Sequence, residues 1–189
     1  MHEPSLPGLG RTTVNFPFLR AANVARQQEW DPSNVVDFSW RCNELAGEAG
    51  EVCNILKKLH REKHGLPGSR AVKDDLAEEL ADVVICVDLV AMTAGIDPVG
   101  EHVTPQATYD ELTDAGNGLA ARVGAVSALV FNGGQINPQT LAERLRLVVQ
   151  TVSTIARMQD IDMPTAIAMK FNSTSHKVGL STRLRYSDD

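Results

Sequence analysis

Two short acidic patterns stand out. Gly47-Glu48-Ala49-Gly50-Glu51 sets two carboxylates three residues apart, with Glu44 a further turn back. Glu78-Glu79-Leu80-Ala81-Asp82 repeats the spacing with Glu79 and Asp82. On a helix, residues three or four apart share a face. Two such helices packed antiparallel would gather four carboxylates, which repel one another unless a divalent cation neutralises them. Carboxylate oxygens with no His or Cys beside them suit Mg²⁺, or Mn²⁺, better than Zn²⁺. A di-iron bundle needs Glu-x-x-His pairs, and no His stands three residues after any of these acids. Glu-x-x-Glu on a helix is ordinarily a solvated face. Here Leu80, Val83, Val84 and Val87 leave Asp82 on the border of an apolar stripe, an awkward place for a solubilising acid. Gly47 and Gly50 stand inside a helical stretch, where glycine costs roughly 1 kcal/mol relative to Ala. Their missing side chains point to close approach of a ligand or of another helix.

Helices must position these acids. Phe16 to Trp30 is apolar at helical spacing and is broken by Asp31-Pro32-Ser33-Asn34. Phe38 to His64 carries one stripe (Trp40, Leu45, Ala49, Val52, Leu56, Leu59), stopped by Gly65-Leu66-Pro67-Gly68-Ser69. Arg70 to Ala94 follows, with Asp74 and Asp75 where a helix dipole favours acids, and Gly95 and Pro98 close it. Two more striped segments, Tyr109 to Phe131 and Pro138 to Gln159, flank the turn at Asn132-Gly133-Gly134. A short helix, Pro164 to Ser173, precedes a polar tail. No segment reads as a strand, so the fold class is all-α, an antiparallel helical bundle in one domain. Met1 to Asn15 and Thr182 to Asp189 read as loose.

Composition bounds the function. The chain has 189 residues, 43% of them apolar and 22% charged, which is ordinary globular composition. A net charge of −6, from 18 basic against 24 acidic residues, disfavours a duplex nucleic-acid binder. The most apolar stretch, Val83 to Ala94, is interrupted by Asp88 and too short to span a bilayer. Met1 to Gly10 does not read as a signal peptide. Cys42, Cys53 and Cys86 lack metal or redox spacing and read as reduced, buried thiols of a cytoplasmic protein.

Glu48-x-x-Glu51, followed after 27 residues by Glu79-x-x-Asp82, resembles the signature of the all-α nucleoside triphosphate pyrophosphohydrolases, which include MazG, the dimeric dUTPases and the dCTP pyrophosphatases. The blocks NVARQQEW (23–30), NELAGEAGEVCNILKK (43–58), LAEELADVVICVDLVAMTAGID (76–97) and KFNSTSHKVGLSTRL (170–184) are similar to a MazG-like group. The resemblance implies hydrolysis of a (deoxy)nucleoside triphosphate to the monophosphate and pyrophosphate. It implies Mg²⁺ held by Glu48, Glu51, Glu79 and Asp82, with Glu48 orienting or deprotonating the attacking water. Lys58, Lys170 and Lys177 are candidate partners of the phosphates, each with a plain alternative as a solvated lysine, and Asn172 is a polar partner. Trp30 is placed to stack on a base or to anchor the core.

The chain departs from this pattern between the third and last blocks, where residues 98–162 intervene between family-like segments 16–97 and 163–184. Leu76 to Asp97 laid on Leu141 to Asp162 matches ten of 22 residues, and Leu45 to Lys57 laid on Leu119 to Phe131 matches Leu, Ala, Gly and Val. The middle therefore reads as a worn second copy of the helix pair. At the four acidic positions it carries Arg122, Ala125, Arg144 and Leu147, so it cannot bind metal; it could pack on the first pair as a partner subunit would, or aim its arginines at phosphates. Relatives build their sites at subunit contacts, and the long apolar stripes of the second pair need cover, so a homodimer with one site per chain is expected. Two other function classes compete with the enzyme reading. A nucleotide-binding regulatory module with little turnover leaves an intact carboxylate set unconstrained. A structural helical protein leaves the glycine-flanked acid pairs without purpose.

Overall fold

The structure is a computed structural model describing residues 16–99, 109–133 and 135–185. All regular structure among the described residues is helical: α1 (Phe16–Trp30), α2 (Phe38–Lys63), α3 (Lys73–Thr93), α4 (Leu112–Phe131), α5 (Pro138–Met158) and α6 (Met163–Lys177). No helix among these residues is long and apolar enough to cross a membrane.

Local chemistry sets the ends. Asp37 caps α2 by accepting from the Trp40 N–H at 2.8 Å, and Gly65, at φ +64°, follows its C-terminus. The Asp75 carboxylate reaches back to the Val72 N–H at 2.9 Å and starts α3 at Lys73, three residues later than the apolar pattern suggests. Asn137 caps α5, with Pro138 in its first turn. Tyr109 stands outside α4 and lies over Gly118, where a Cβ would sit 2.7 Å from its hydroxyl. The last helix runs one turn beyond the expected end at Ser173, because Ser175 is still buried and the left-handed residue that stops it is Gly179, at φ +77°.

α2 packs on both α3 and α4, α3 also meets α1, α5 and α6, and α4 pairs with α5. The α2–α3 pair is antiparallel. Glu44 acts on Cys86, Glu48 on Asp82 and Glu51 on Glu79, so numbering falls on one helix as it rises on the other. Gly116 lets α4 approach α2, its hydrogen facing a Leu56 methyl where a Cβ would stand 3.0 Å away. One contiguous core results, running from Phe16 and Leu19 through Leu45, Leu56, Leu80 and Val84 to Leu119, Val149 and Phe171.

The stripes of α4 and α5 are covered within the chain. Leu119, Val123, Val126, Leu145, Val148, Val149, Val152 and Ile155 are all buried, and Leu129 and Val130 are half-buried. Much of the cover these stripes need thus comes from within the chain, where α4 packs on α2 and α5 on α3. Residues 182–185 also differ from their expected looseness. Glu29 accepts from the Ser181 N–H at 2.6 Å and the Thr182 N–H at 3.0 Å, and Leu184 is buried. Residues 1–15 and 186–189 lie outside the described residues.

Candidate metal centre

Three of the four expected acids meet between α2 and α3. Glu48, Glu79 and Asp82 each offer an oxygen within 4.8 Å of the others. The antiparallel register produces this, since residues one turn apart on each helix face the same stretch of the seam. Burial, then the charges of Asp82, Glu79 and Glu44, push the Glu48 carboxyl up to about 7, against the lowering pull of Lys170. Burial also raises Glu79, with Lys170 opposing and Asp82 and Glu51 adding to the rise. Asp82 is raised by burial, while Lys170 and Arg26 work against the shift. Three half-buried acids that resist ionising together form a site that gains from a cation.

Lys170, from α6, supplies one positive charge already. Its ammonium lies 3.0 Å from Asp82 and 3.2 Å from Glu78. Burial alone lowers it, but the hydrogen bonds and charges of Asp82 and Glu78 outweigh that and raise it above the ordinary lysine value. The donor set of three carboxylates with a counter-cation at its edge fits a hard divalent ion such as Mg²⁺ or Mn²⁺.

Glu51 does not join the trio. It is exposed, one turn further along α2 where the helix face has turned towards solvent, and it acts on Glu79 through charge. Glu44 is also diverted, paired with Arg41 at 2.6 Å. Gly47 and Gly50 do not mark helix packing, for a Cβ at either would meet nothing within 4 Å. The closeness expected of them is found at Gly116 instead, and the two glycines leave open space beside Glu48. Asn172 is committed elsewhere: its amide donates to the Leu184 carbonyl at 3.1 Å and accepts from the Leu184 N–H at 2.8 Å. Lys58, half-buried, sits about two turns beyond Glu51, and Lys177, exposed, about two turns beyond Lys170. Lys170 and Arg26 are the cations that act most strongly on these acids among the described residues.

Arg26 and Arg41 were not singled out by spacing, though both lie in or beside the acidic and α1 blocks. They line a cavity of about 240 Å³ with Gln27, Trp30, Glu44 and Thr174. Arg26 lies 3.7 Å over the Phe171 ring, and its Nη1 is buried without a hydrogen-bond partner. Burial pulls its guanidinium down to about 10, while Cys86, Glu44 and Asp82 pull it back up. The buried Arg41 sits by two indoles, 5.6 Å from the Trp30 ring and 5.0 Å from that of Trp40, which are 5.9 Å apart. Trp30 is 45% exposed, so its ring is an open wall rather than a core anchor.

The second helix pair, antiparallel like the first, has a corresponding seam. Arg122 donates to the Leu147 carbonyl at 2.8 Å and to the Thr151 hydroxyl, and Arg144 donates to the Ala125 carbonyl. These arginines bind helix carbonyls across α4 and α5. Both arginines thus take part in α4–α5 packing, and the pair also packs on α2 and α3, the other course open to it.

Set against protein-family models, curated proteins and solved structures, the chain finds no match.

Proposed function

We propose that this chain is a Mg²⁺-dependent nucleoside triphosphate pyrophosphohydrolase, releasing pyrophosphate and a nucleoside monophosphate. The observation that carries the reading is the convergence of Glu48, Glu79 and Asp82 beside Lys170. The resemblance of the two acidic blocks to the all-α pyrophosphohydrolases supports it.

Glu48, Glu79 and Asp82 would hold the ion, which when bound neutralises phosphate charge and acidifies a coordinated water. The protein groups divide the remaining work. Glu48, held near neutrality in its proton affinity, is suited to accept a proton from water. Lys170 balances the acids before substrate arrives and can turn to a phosphate oxygen, since Glu78, one of its partners, is exposed. Arg26, with an unpaired buried donor beside the cavity, is the second cation available to an anionic ligand. The Trp30 face on the same cavity offers a platform for a base.

The α4–α5 pair reads as a copy of α2–α3 that has lost its acids. Positions matched in sequence also pair across the seam: Arg122 with Leu147 and Ala125 with Arg144, as Glu48 with Asp82 and Glu51 with Glu79. This shared pairing supports duplication. A part in cleansing the nucleotide pool, and a homodimer, are what the resemblance adds to this reading.

The test is pyrophosphate release from a panel of ribo- and deoxynucleoside triphosphates with Mg²⁺. Turnover that vanishes with chelator and in Asp82→Asn is expected. No release from any nucleotide, with binding intact, would replace the enzyme by a regulatory nucleotide binder.

A further inference from the structure

A second ligand cluster lies at the far end of α2 and is unlike the carboxylate trio in chemistry. His60 and His64, four residues apart, lie with ring centroids 4.4 Å apart and planes tilted by 46° at the C-terminus of α2. Glu111, the residue preceding α4, comes to meet them. One ligand atom from each of the three lies within 4.8 Å of the others. Ligands bound at roughly 2.1 Å to a tetrahedral ion stand about 3.4 Å apart, so a small closing of side chains suffices.

An independent observation concerns His60 itself. Its Nδ1 is shut off from solvent and has no hydrogen-bond partner. A Glu111 oxygen faces it from 3.9 Å, too far for a hydrogen bond. A nitrogen that has lost water and gained nothing is costly, and an electrophile would satisfy it. The neighbouring groove of about 400 Å³, walled by Leu59, His60, Lys63, Glu111 and Met158, gives access. Lys63 now holds Glu111, 2.8 Å from each carboxylate oxygen, and is itself largely exposed. Its ammonium does for Glu111 what a cation would do, and little prevents its leaving.

We propose that His60, His64 and Glu111 form a binding site for a first-row transition ion of the Zn²⁺ class, displacing Lys63 and tying the C-terminus of α2 to the N-terminus of α4. Two imidazoles and one carboxylate suit Zn²⁺, Co²⁺, Ni²⁺ or Cu²⁺ and not Mg²⁺, so the two centres would select different metals. The fourth position stays open to water. Occupancy would fix the metal-free helix pair against the acidic pair, and the site does not depend on the nucleotide reading.

The test titrates the chelator-stripped full chain with ZnCl₂ alone, by calorimetry, and with CoCl₂ by visible absorption. Glu48→Gln/Asp82→Asn serves as background, removing the other candidate centre. One Zn²⁺ per chain is expected to persist in that background, with Co²⁺ giving ligand-field bands of a nitrogen-containing tetrahedral site. His60→Ala and His64→Ala should each weaken binding by roughly tenfold or more. Lys63→Met should tighten it, because the competitor for Glu111 is gone, and this variant serves even if a His variant unfolds. Unchanged affinity in His60→Ala/His64→Ala, or no gain in Lys63→Met, would overturn the proposal.

Discussion

Glu48 is the residue on which charge, burial and chemistry bear together. With its carboxyl raised to about 7 by burial and neighbouring acids, ionising it in the folded chain is unfavourable. A carboxyl raised on folding contributes stability that is full below its unfolded value, near 4.5, and is lost as pH climbs through about 7. The metal-free protein should therefore lose thermal stability across that window. Glu48→Gln, which cannot ionise, should melt higher at pH 8. The group is half open to solvent, so the gain is about 1 kcal/mol after screening, or roughly 2–4 °C in Tm. Calorimetry from pH 4 to 8 checks this, and a difference that does not grow with pH would refute it. Mg²⁺ should reverse the order, since the wild-type acid then has its cation. In turnover, Asp82→Asn should lose roughly a hundredfold or more with helical content unchanged, because a ligand charge goes and little volume does. Glu51→Gln should retain most of the activity, because Glu51 points to solvent.

Two clamps hold the elements that carry the site. Asp88 is wholly buried among the apolar residues of α3, accepts from the Arg20 Nε at 3.0 and 3.1 Å and from Asn23 at 2.9 Å, and forms an ion pair with Arg20. Arg20 also donates to the Ile96 carbonyl at 3.0 Å, so α1 is fastened to both α3 and the turn after it. This fixes the helix that presents Arg26 and Trp30. Asp88→Ala leaves Arg20 and Asn23 without their acceptor and should cost about 3 kcal/mol in urea unfolding. The second clamp joins α1 to the chain end. Glu29 accepts from the Ser181 and Thr182 N–H groups and the Thr182 hydroxyl, which hold its carboxyl down at about 2. A depressed carboxyl favours the folded arrangement above its unfolded value and loses that effect as pH falls from about 4.5 towards 2. Glu29→Ala should speed amide exchange over residues 180–185 while α2 and α3 stay protected. Uniform exchange changes throughout the chain would contradict a local clamp.

At the scale of the whole molecule, intramolecular packing removes one argument for assembly. The buried stripes of α4 and α5 already have partners in α2 and α3, so hydrophobic surplus does not call for a second copy. The two most exposed large apolar side chains among the described residues, Phe131 at 90% and Val35 at 78%, stand on the α4 C-terminus and the α1–α2 turn. The homodimer now rests on the resemblance alone. Light scattering at micromolar concentration is its measure: twice the chain mass supports it, and a monomer with full turnover removes it. If α4 and α5 serve as an internal partner for the acidic pair, one nucleotide should bind per chain in either case, which equilibrium titration would read.

The amino-acid sequence by itself determined the helices, since apolar spacing, capping acids, Gly and Pro are local signals that act within a few residues. It also supplied the acidic pairs, because i to i+3 spacing places them on one helix face whatever that helix packs against. It had no means of telling which of those acids would be covered. The antiparallel register decided that, bringing Glu48, Glu79 and Asp82 to one seam and leaving Glu51 in solvent. The neighbours came from far along the chain: Lys170 against Asp82, Arg26 beside the cavity, and Glu111 against His60. Asn172 and Glu29 look like ordinary surface polar residues until the chain end folds back to them. Asp88 did leave a mark, as a lone acid in an apolar run, but its partner Arg20 lies 68 residues away, and only tertiary packing pairs groups at that separation.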